Sequence, residues 1–356
     1  MKKTPKGRRF ALSGDCVLPS VGIAWVCFFC LMLFTWQAQA LPTPAYGNGI
    51  SLGTTSGFTL GDAVNYAVLY EGNGNNQLQI NSGPISGNVG IGAPSPSGNT
   101  TSSLSFGNPA TMTGQFNFAG NANVSQNNGI LNGIVGNTAD IHSGVTAVQT
   151  DLNALNKLSI DLGNETGTHI AINTSSGNQN VNITSGTLDS HGNEVFKITS
   201  MSFNNHQTLT IIGDGTHNVV FNINMNVHFA GTIILEGGLT SDNVLFNITG
   251  GANLMGGNTL QYAANGETLC GTFLDPNGNI QINSAVLMGH LFGGDSSNMQ
   301  IVSNGSVQNL HHVTVPDKVS TLALLGLSFA GLCIFGRHTQ LRPVMAVVRK
   351  QRISRR

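Results

Sequence analysis

Asp189, His191, Glu194, Asp214, His217, Glu236, Asp242 and Asp275 are the side chains in the middle of this chain that could exchange protons with a substrate. Glycoside hydrolysis or lyase chemistry would need several of them to converge in one cleft. Most stand beside Gly or Asn, where a short acid side chain closes a bend on its own backbone. An enzyme would therefore rest on fold-level analogy alone, and the expectation is a non-enzymatic protein with no catalytic residue and no cofactor. Metal chemistry fares no better. Asp275-Pro276-Asn277-Gly278-Asn279 has the outline of a calcium loop, but Val286 stands where a bidentate Glu is required. His311-His312 has no further ligand nearby and reads as a spacer.

Hydroxyl chemistry offers another possibility, since a flat face of regularly spaced Thr can order water in a lattice. Thr166-Gly167-Thr168 and Thr208-Leu209-Thr210 fit that pattern, yet most outward positions are Asn or mixed. Ice binding is therefore held as an alternative reading, beside a glycan-active β-helix enzyme.

Charged residues are 9% of the 356, far below the roughly 25% of ordinary domains, and the net charge is -1. Nothing here attracts a polyanion, which excludes nucleic acid as a partner. Gly is abundant at 46 residues and aromatics are only 6%, a balance that favours turns and short strands over helices. Of the five cysteines, Cys16, Cys27, Cys30 and Cys333 fall in the apolar end segments, leaving Cys270 alone in the body. The body must therefore hold together without an internal disulfide.

The elements that would position these residues are mostly strands. From Val219 to Phe229, Phe221, Ile223, Met225, Val227 and Phe229 alternate with Asn222, Asn224, Asn226 and His228, the period of a strand with one buried face. Shorter alternations occupy Ile170–Asn173, Val181–Thr184, Gln207–Ile211, Val244–Thr249 and Asn279–Asn283, with Gly-rich turns between them. Segments around Leu209, Phe221, Ile233 and Val244 recur roughly every dozen residues, a spacing shared by sandwiches, barrels and solenoids. Outward Asn and Thr with Gly at corners favour the solenoid. One stretch, Thr138 to Leu158, places Ile141, Val145, Val148, Leu152 and Leu155 at helical spacing, which predicts an amphipathic helix lying along the β body.

The two ends carry addresses. Lys2, Lys3, Lys6, Arg8 and Arg9 precede an apolar run from Val21 to Phe34, and then Ala38-Gln39-Ala40. That is the layout of a cleavable export leader, with Ala38 and Ala40 at the small positions and the cut after Ala40. At the other end, residues 319–335 would span roughly 26 Å as a helix at about 1.5 Å per residue, enough to cross a thinned bilayer. The basic tail 337–356 would then stay inside, with Arg337 as the membrane stop.

Val315-Pro316-Asp317-Lys318-Val319-Ser320-Thr321 ahead of that Leu- and Gly-rich run resembles the PEP-CTERM class of sorting signals, in the variant also called ice-binding protein C-terminal. The resemblance implies that an exosortase-type enzyme is a partner, that Val315, Pro316, Asp317, Ser320 and Thr321 form the recognised motif, and that the inner membrane holds the protein transiently. Leu60–Leu69, Gly87–Gly92, Gly192–Ile198, Gly271–Asn277 and Val286–Gly293, in that order, resemble the choice-of-anchor A, collagen-binding-like domain of bacterial surface proteins. That implies a right-handed β-helix with one α-helix packed alongside, so that the expected fold is mainly β, with the run 319–335 as a C-terminal transmembrane helix beyond it. The expected organisation is a signal peptide 1–40, a β-solenoid domain 41–310, and a sorting region 311–356 with its motif at 315–321. The expected role is adhesive or structural, at the cell surface or in the extracellular matrix, against extracellular polysaccharide or a host or matrix polymer.

Overall fold

The strands stack in parallel because their apolar and polar residues alternate in step from one coil to the next. In the computed structural model, residues 47–93, 102–249, 259–263, 267–295 and 297–310 are described. The chain divides into two units, Met1–Thr43 and Pro44–Arg356, and every described residue belongs to the second. Its body is a parallel β-solenoid with three faces, mainly β as the sequence implied, and among the described residues it has one α-helix, α1, Thr146–Asn164.

The first coil of the described chain lies in the middle of the stack. Tyr66–Tyr70, Gln77–Ile80 and Pro84–Ser86 make the first coil, on which Asn88–Ile91, Ser103–Gly107 and Thr111–Thr113 build the next. Phe116–Phe118, Val124–Asn127 and Ile130–Leu131 follow, and Ile134–Val135 folds back antiparallel to cover one edge. α1, about 28 Å long at 1.5 Å per residue, then carries the chain to the far end of the stack. From there Thr168–Asn173, Asn193–Ser202, Asn218–Ile223, Val244–Ile248, Thr268–Asp275 and Val286–Gly293 wind back in order. The last coil closes on the first: Val286–Gly293 pairs with Tyr66–Tyr70, Met299–Val302 with Gln77–Ile80, and Ser306–Gln308 with Pro84–Ser86.

Thr268–Asp275 and Val286–Gly293 each serve two faces by bending at Gly271 and Gly289, which are register partners with φ of 138° and 140°. A Cβ on Gly289 would lie 2.1 Å from the Gly271 carbonyl oxygen, so this corner needs glycine.

Inside, one rank runs in register through both halves: Phe196, Phe221, Phe246, Phe273, Leu291, Val68, Val89 and Phe116. All are fully buried, and Phe246 stacks on Phe221 and Phe273 with ring centroids 5.2 and 4.6 Å away. Each such side chain contributes about 1.5–3 kcal/mol of transfer free energy, which is how a body with no disulfide among its described residues holds together.

α1 covers one face, burying Val148, Leu152, Leu155, Leu158 and Leu162 against residues that include Leu69, Leu245 and Phe292. Asn222 and Asn247 lie beneath it, linked by Asn247 Nδ2 donating to Asn222 Oδ1 at 2.8 Å. Asn222 Nδ2 in turn donates to the Leu162 carbonyl at 2.8 Å. The sequence reading placed Asn222 outward in water; the helix instead seals it.

Three other expectations change. The helix begins at Thr146 rather than Thr138, because Gly144, at φ 72°, turns the chain after the short strand Ile141–His142, and it runs on to Asn164. Val219–Phe229 is two strands, Asn218–Ile223 and Val227–Phe229, on different faces. The dozen-residue recurrence is a step between faces, since register partners such as Asn222 and Asn247 are 25 residues apart. The export leader with Ala38 and Ala40, the motif residues Val315, Pro316, Asp317, Ser320 and Thr321, the span 319–335 and Arg337 lie outside the described residues. Among the described residues, no helix is long and apolar enough to cross a membrane.

Candidate functional site

The acids and imidazoles that might have done chemistry serve bends and seams. Asp189 Oδ1 accepts from the His191 and Asn193 backbone N–H groups, each at 2.8 Å. Asp214 accepts from the Thr216 and His217 N–H groups, and its Oδ2 lies 2.5 Å from His217 Nδ1. Burial works to raise the Asp214 carboxyl, but those hydrogen bonds outweigh it and bring it down to about 2. Glu194 is buried nearby and its carboxyl is raised, chiefly by desolvation, with His217 pulling the other way. Asp275 is buried in its own turn and raised by the same cause. Asp242 meets His290 Nε2 at 2.9 Å, while His290 Nδ1 donates to the Tyr66 carbonyl at 2.7 Å, tying the chain's first coil to its last. Glu236 ends its strand, exposed. Among the described residues no group of three His, Cys, Asp or Glu could hold a metal ion.

What the fold does assemble is surface. With one face under α1, two stay open. On the first, Thr208 is the register partner of Thr232, and Thr210 of Ile234. Thr268, Val286 and Ser306 form one rank there, and Cys270, Met288 and Gln308 another. The pairing breaks beside Thr232–Glu236, which belongs to a separate three-stranded sheet, and a groove of about 680 Å³ opens at the break.

The second open face is continuous. Val124–Asn127, Ser103–Gly107, Gln77–Ile80, Met299–Val302, Asn279–Asn283, Thr259–Ala263 and Val227–Phe229 form, among the described residues, a seven-stranded parallel sheet. Ser125, Ser105, Gln79, Gln300, Gln281, position 261 and His228 are successive register partners along its centre. Gln281 Nε2 donates to Gln300 Oε1 at 3.1 Å, and Gln300 Nε2 to Gln79 Oε1 at 2.9 Å. Each amide is thereby held in one rotamer and keeps hydrogen-bonding capacity for what lies outside. A parallel rank is pinned as well: Asn123 Nδ2 donates to Ser103 Oγ at 2.5 Å, and the Gln77 N–H to Asn298 Oδ1 at 3.0 Å. The strands of this face carry no Asp, Glu, Lys or Arg, and His228 and Tyr262 are their titratable residues.

The sequence reading missed this amide rank, although a signal was there. Leu78-Gln79-Ile80, Leu260-Gln261-Tyr262, Ile280-Gln281-Ile282 and Met299-Gln300-Ile301 repeat one pattern, a Gln between two large apolar residues. The Thr pairs it did single out fall apart: Thr208 and Thr210 lie on the broken face, and Thr168 meets Thr187, with the hydroxyl oxygens 3.0 Å apart.

No protein family matches the chain, and no curated protein does. Among solved structures, it is similar to an ice-binding protein from the Antarctic ascomycete Antarctomyces psychrotrophicus, at 17% identity and a TM-score of 0.42, over 70% of this chain and 96% of that one. An ice-binding protein from an Antarctic biological consortium matches at 16% identity and a TM-score of 0.44, over 76% and 96% of the two chains. An ice-binding protein of Shewanella frigidimarina matches at 14% identity and 0.43, over 70% and 95%. The ligand named for these structures is ice, the alternative of the sequence reading; none is named for the expected adhesive or structural matrix role with exosortase sorting, which is corrected accordingly. Ranks of Thr and amide side chains form between coils, so their spacing along the chain does not reveal them.

Proposed function

We propose that this is a non-enzymatic ice-binding protein, exported after cleavage of the leader at Ala40, which holds ice against the seven-stranded amide face. Ice is the ligand named for the solved structures above; the support in this chain is the face itself. Neighbouring residues of a rank in parallel strands repeat every 4.7–4.9 Å or so, near the short repeat of hexagonal ice. Each hydrogen bond to lattice water replaces one to liquid water, so the net gain per contact is small. Such contacts add up only if the array is extended and already ordered, so that little side-chain entropy is lost on binding. The Gln79–Gln300–Gln281 ladder meets that condition, and it is the observation that carries the reading.

The absence of charge belongs to the same argument, because an ion keeps its own hydration shell and disturbs an ordered water layer. The solenoid is taken to wind right-handed, the hand favoured for parallel connections between twisted strands, and to fill most of residues 41–310. Thermal hysteresis and recrystallisation inhibition on the exported chain test the proposal. Ice crystals that grow unshaped and coarsen at the buffer rate would end it.

A further inference from the structure

Beside its apolar contacts, α1 reaches the central seam of the stack through Glu71. That residue follows Tyr66–Tyr70 in the first coil, and its N–H donates to the Gly293 carbonyl of the last coil at 3.0 Å. On α1, Asn156 Nδ2 donates to Glu71 Oε1 at 2.8 Å. The other two oxygens of this contact, Glu71 Oε2 and Asn156 Oδ1, are closed off from solvent and neither has a hydrogen-bond partner. While Glu71 is ionised both are acceptors, and two buried acceptors cannot satisfy each other. A proton on Oε2 turns it into a donor. The contact then joins a carboxylic acid to a primary amide, each with one donor and one acceptor to offer the other.

The surroundings favour that proton. Burial, set against the Asn156 hydrogen bond, lifts the Glu71 carboxyl to about 7, and the charged group facing it, Asp295 from the loop after Val286–Gly293, adds to the rise. Asp295 is itself raised by burial, and it adds to the rise of the buried Asp275. From α1 comes only the uncharged amide of Asn156, and the coil on the other side brings Gly92 against Glu71. Asp151, fully buried on the same helix, repeats the pattern. Its Oδ1 accepts from Asn48 Nδ2 at 2.6 Å and its Oδ2 has no partner. Burial raises it to about 6, against the Asn48 hydrogen bond and with Asp62 adding.

We propose that Glu71 and Asn156 form a proton-operated latch, in which the acid–amide pair clamps the middle of α1 to the seam and loss of the proton lets that part of the helix loosen. The latch is closed in mild acid and opens as pH rises through about 7. It is independent of the amide face, which lies on another side of the stack.

Amide hydrogen exchange on the full chain reads the latch, with rates expressed as protection factors so that the pH dependence of exchange chemistry cancels. From pH 6 to pH 8 the protection of residues 155–159 of α1 is expected to fall roughly tenfold, of which Asp151 accounts for about twofold. Glu71→Gln carries the donor at every pH, since its amide offers Asn156 both an N–H and a C=O, and its fall is expected to be about twofold. Asn156→Leu keeps the apolar cover but removes the pair, and is expected to bring the protection at pH 6 down to near the parent's value at pH 8. A parent whose helix protection is level across this range, a Glu71→Gln variant that keeps the tenfold fall, or an Asn156→Leu variant protected like the parent at pH 6 overturns the proposal.

Discussion

Val68 and Leu291 are register neighbours in parallel strands, both fully buried, and through them the last coil of the chain seats on the first. Gln79 and Gln300, 221 residues apart, complete the amide ladder across the same seam. The open face is therefore finished only when the chain has wound out, crossed along α1 and wound back.

Leu291→Ala opens a cavity at that seam and is expected to cost about 2–5 kcal/mol. Amide hydrogen exchange would show the loss on both sides, in Tyr66–Tyr70 as well as Met299–Val302. Faster exchange confined to the C-terminal strand would mean the seam does not couple the halves.

Gln300→Lys places a charge in the centre of the ladder. Surface changes of this kind alter stability by only about 0.5 kcal/mol, yet thermal hysteresis is expected to fall by most of its value. Thr210→Lys, on the broken face, is expected to leave it near the original. The opposite ranking of the two variants would move the ice-contacting face.

Burial pushes the Glu71 carboxyl up from 4.5 to about 7, against the hydrogen bond that Asn156 Nδ2 donates to it at 2.8 Å, with Asp295 adding to the rise. A folded-state value above the unfolded one means that the contribution is whole below about pH 4.5, where both states hold the proton. It is lost as pH rises to about 7 and is level beyond that. Asp151, raised by burial from 3.8 to about 6, adds a loss over its own lower window. The Tm is thus expected to be higher at pH 5 than at pH 8, and Glu71→Gln to shrink the difference. A variant with the same pH slope as the parent would assign the effect elsewhere.

Gly289→Ala is expected to cost at least about 2 kcal/mol, since it adds a side chain at φ 140° against the Gly271 carbonyl oxygen. Thermal unfolding measures it, and a Tm within a degree of the parent would show that the corner relaxes.

Much of the strand content was legible because alternation with period two survives in single strands: Asn279–Asn283 was delimited to the residue, and Thr208–Ile212 and Val244–Ile248 to within one. The helix was legible in type but not in its start, because the apolar spacing ran back through Ile141 while Gly144 ended it. The Asp and His turn positions read correctly where local hydrogen bonds decide, as at Asp189 and Asp214. The face was missed because its residues lie in separate stretches of sequence.

Charge poverty, glycine corners and period-two alternation are local properties, and from them the amino-acid sequence alone determined a mainly β, stacked chain of low charge. Which coil lies against which was decided only by tertiary structure. The parallel ladder satisfies backbone groups equally well between any two coils of matching alternation, and the choice falls to the interior rank and to the length of α1. That choice sets Gln79 beside Gln300 and makes one continuous face out of segments from both ends of the described chain.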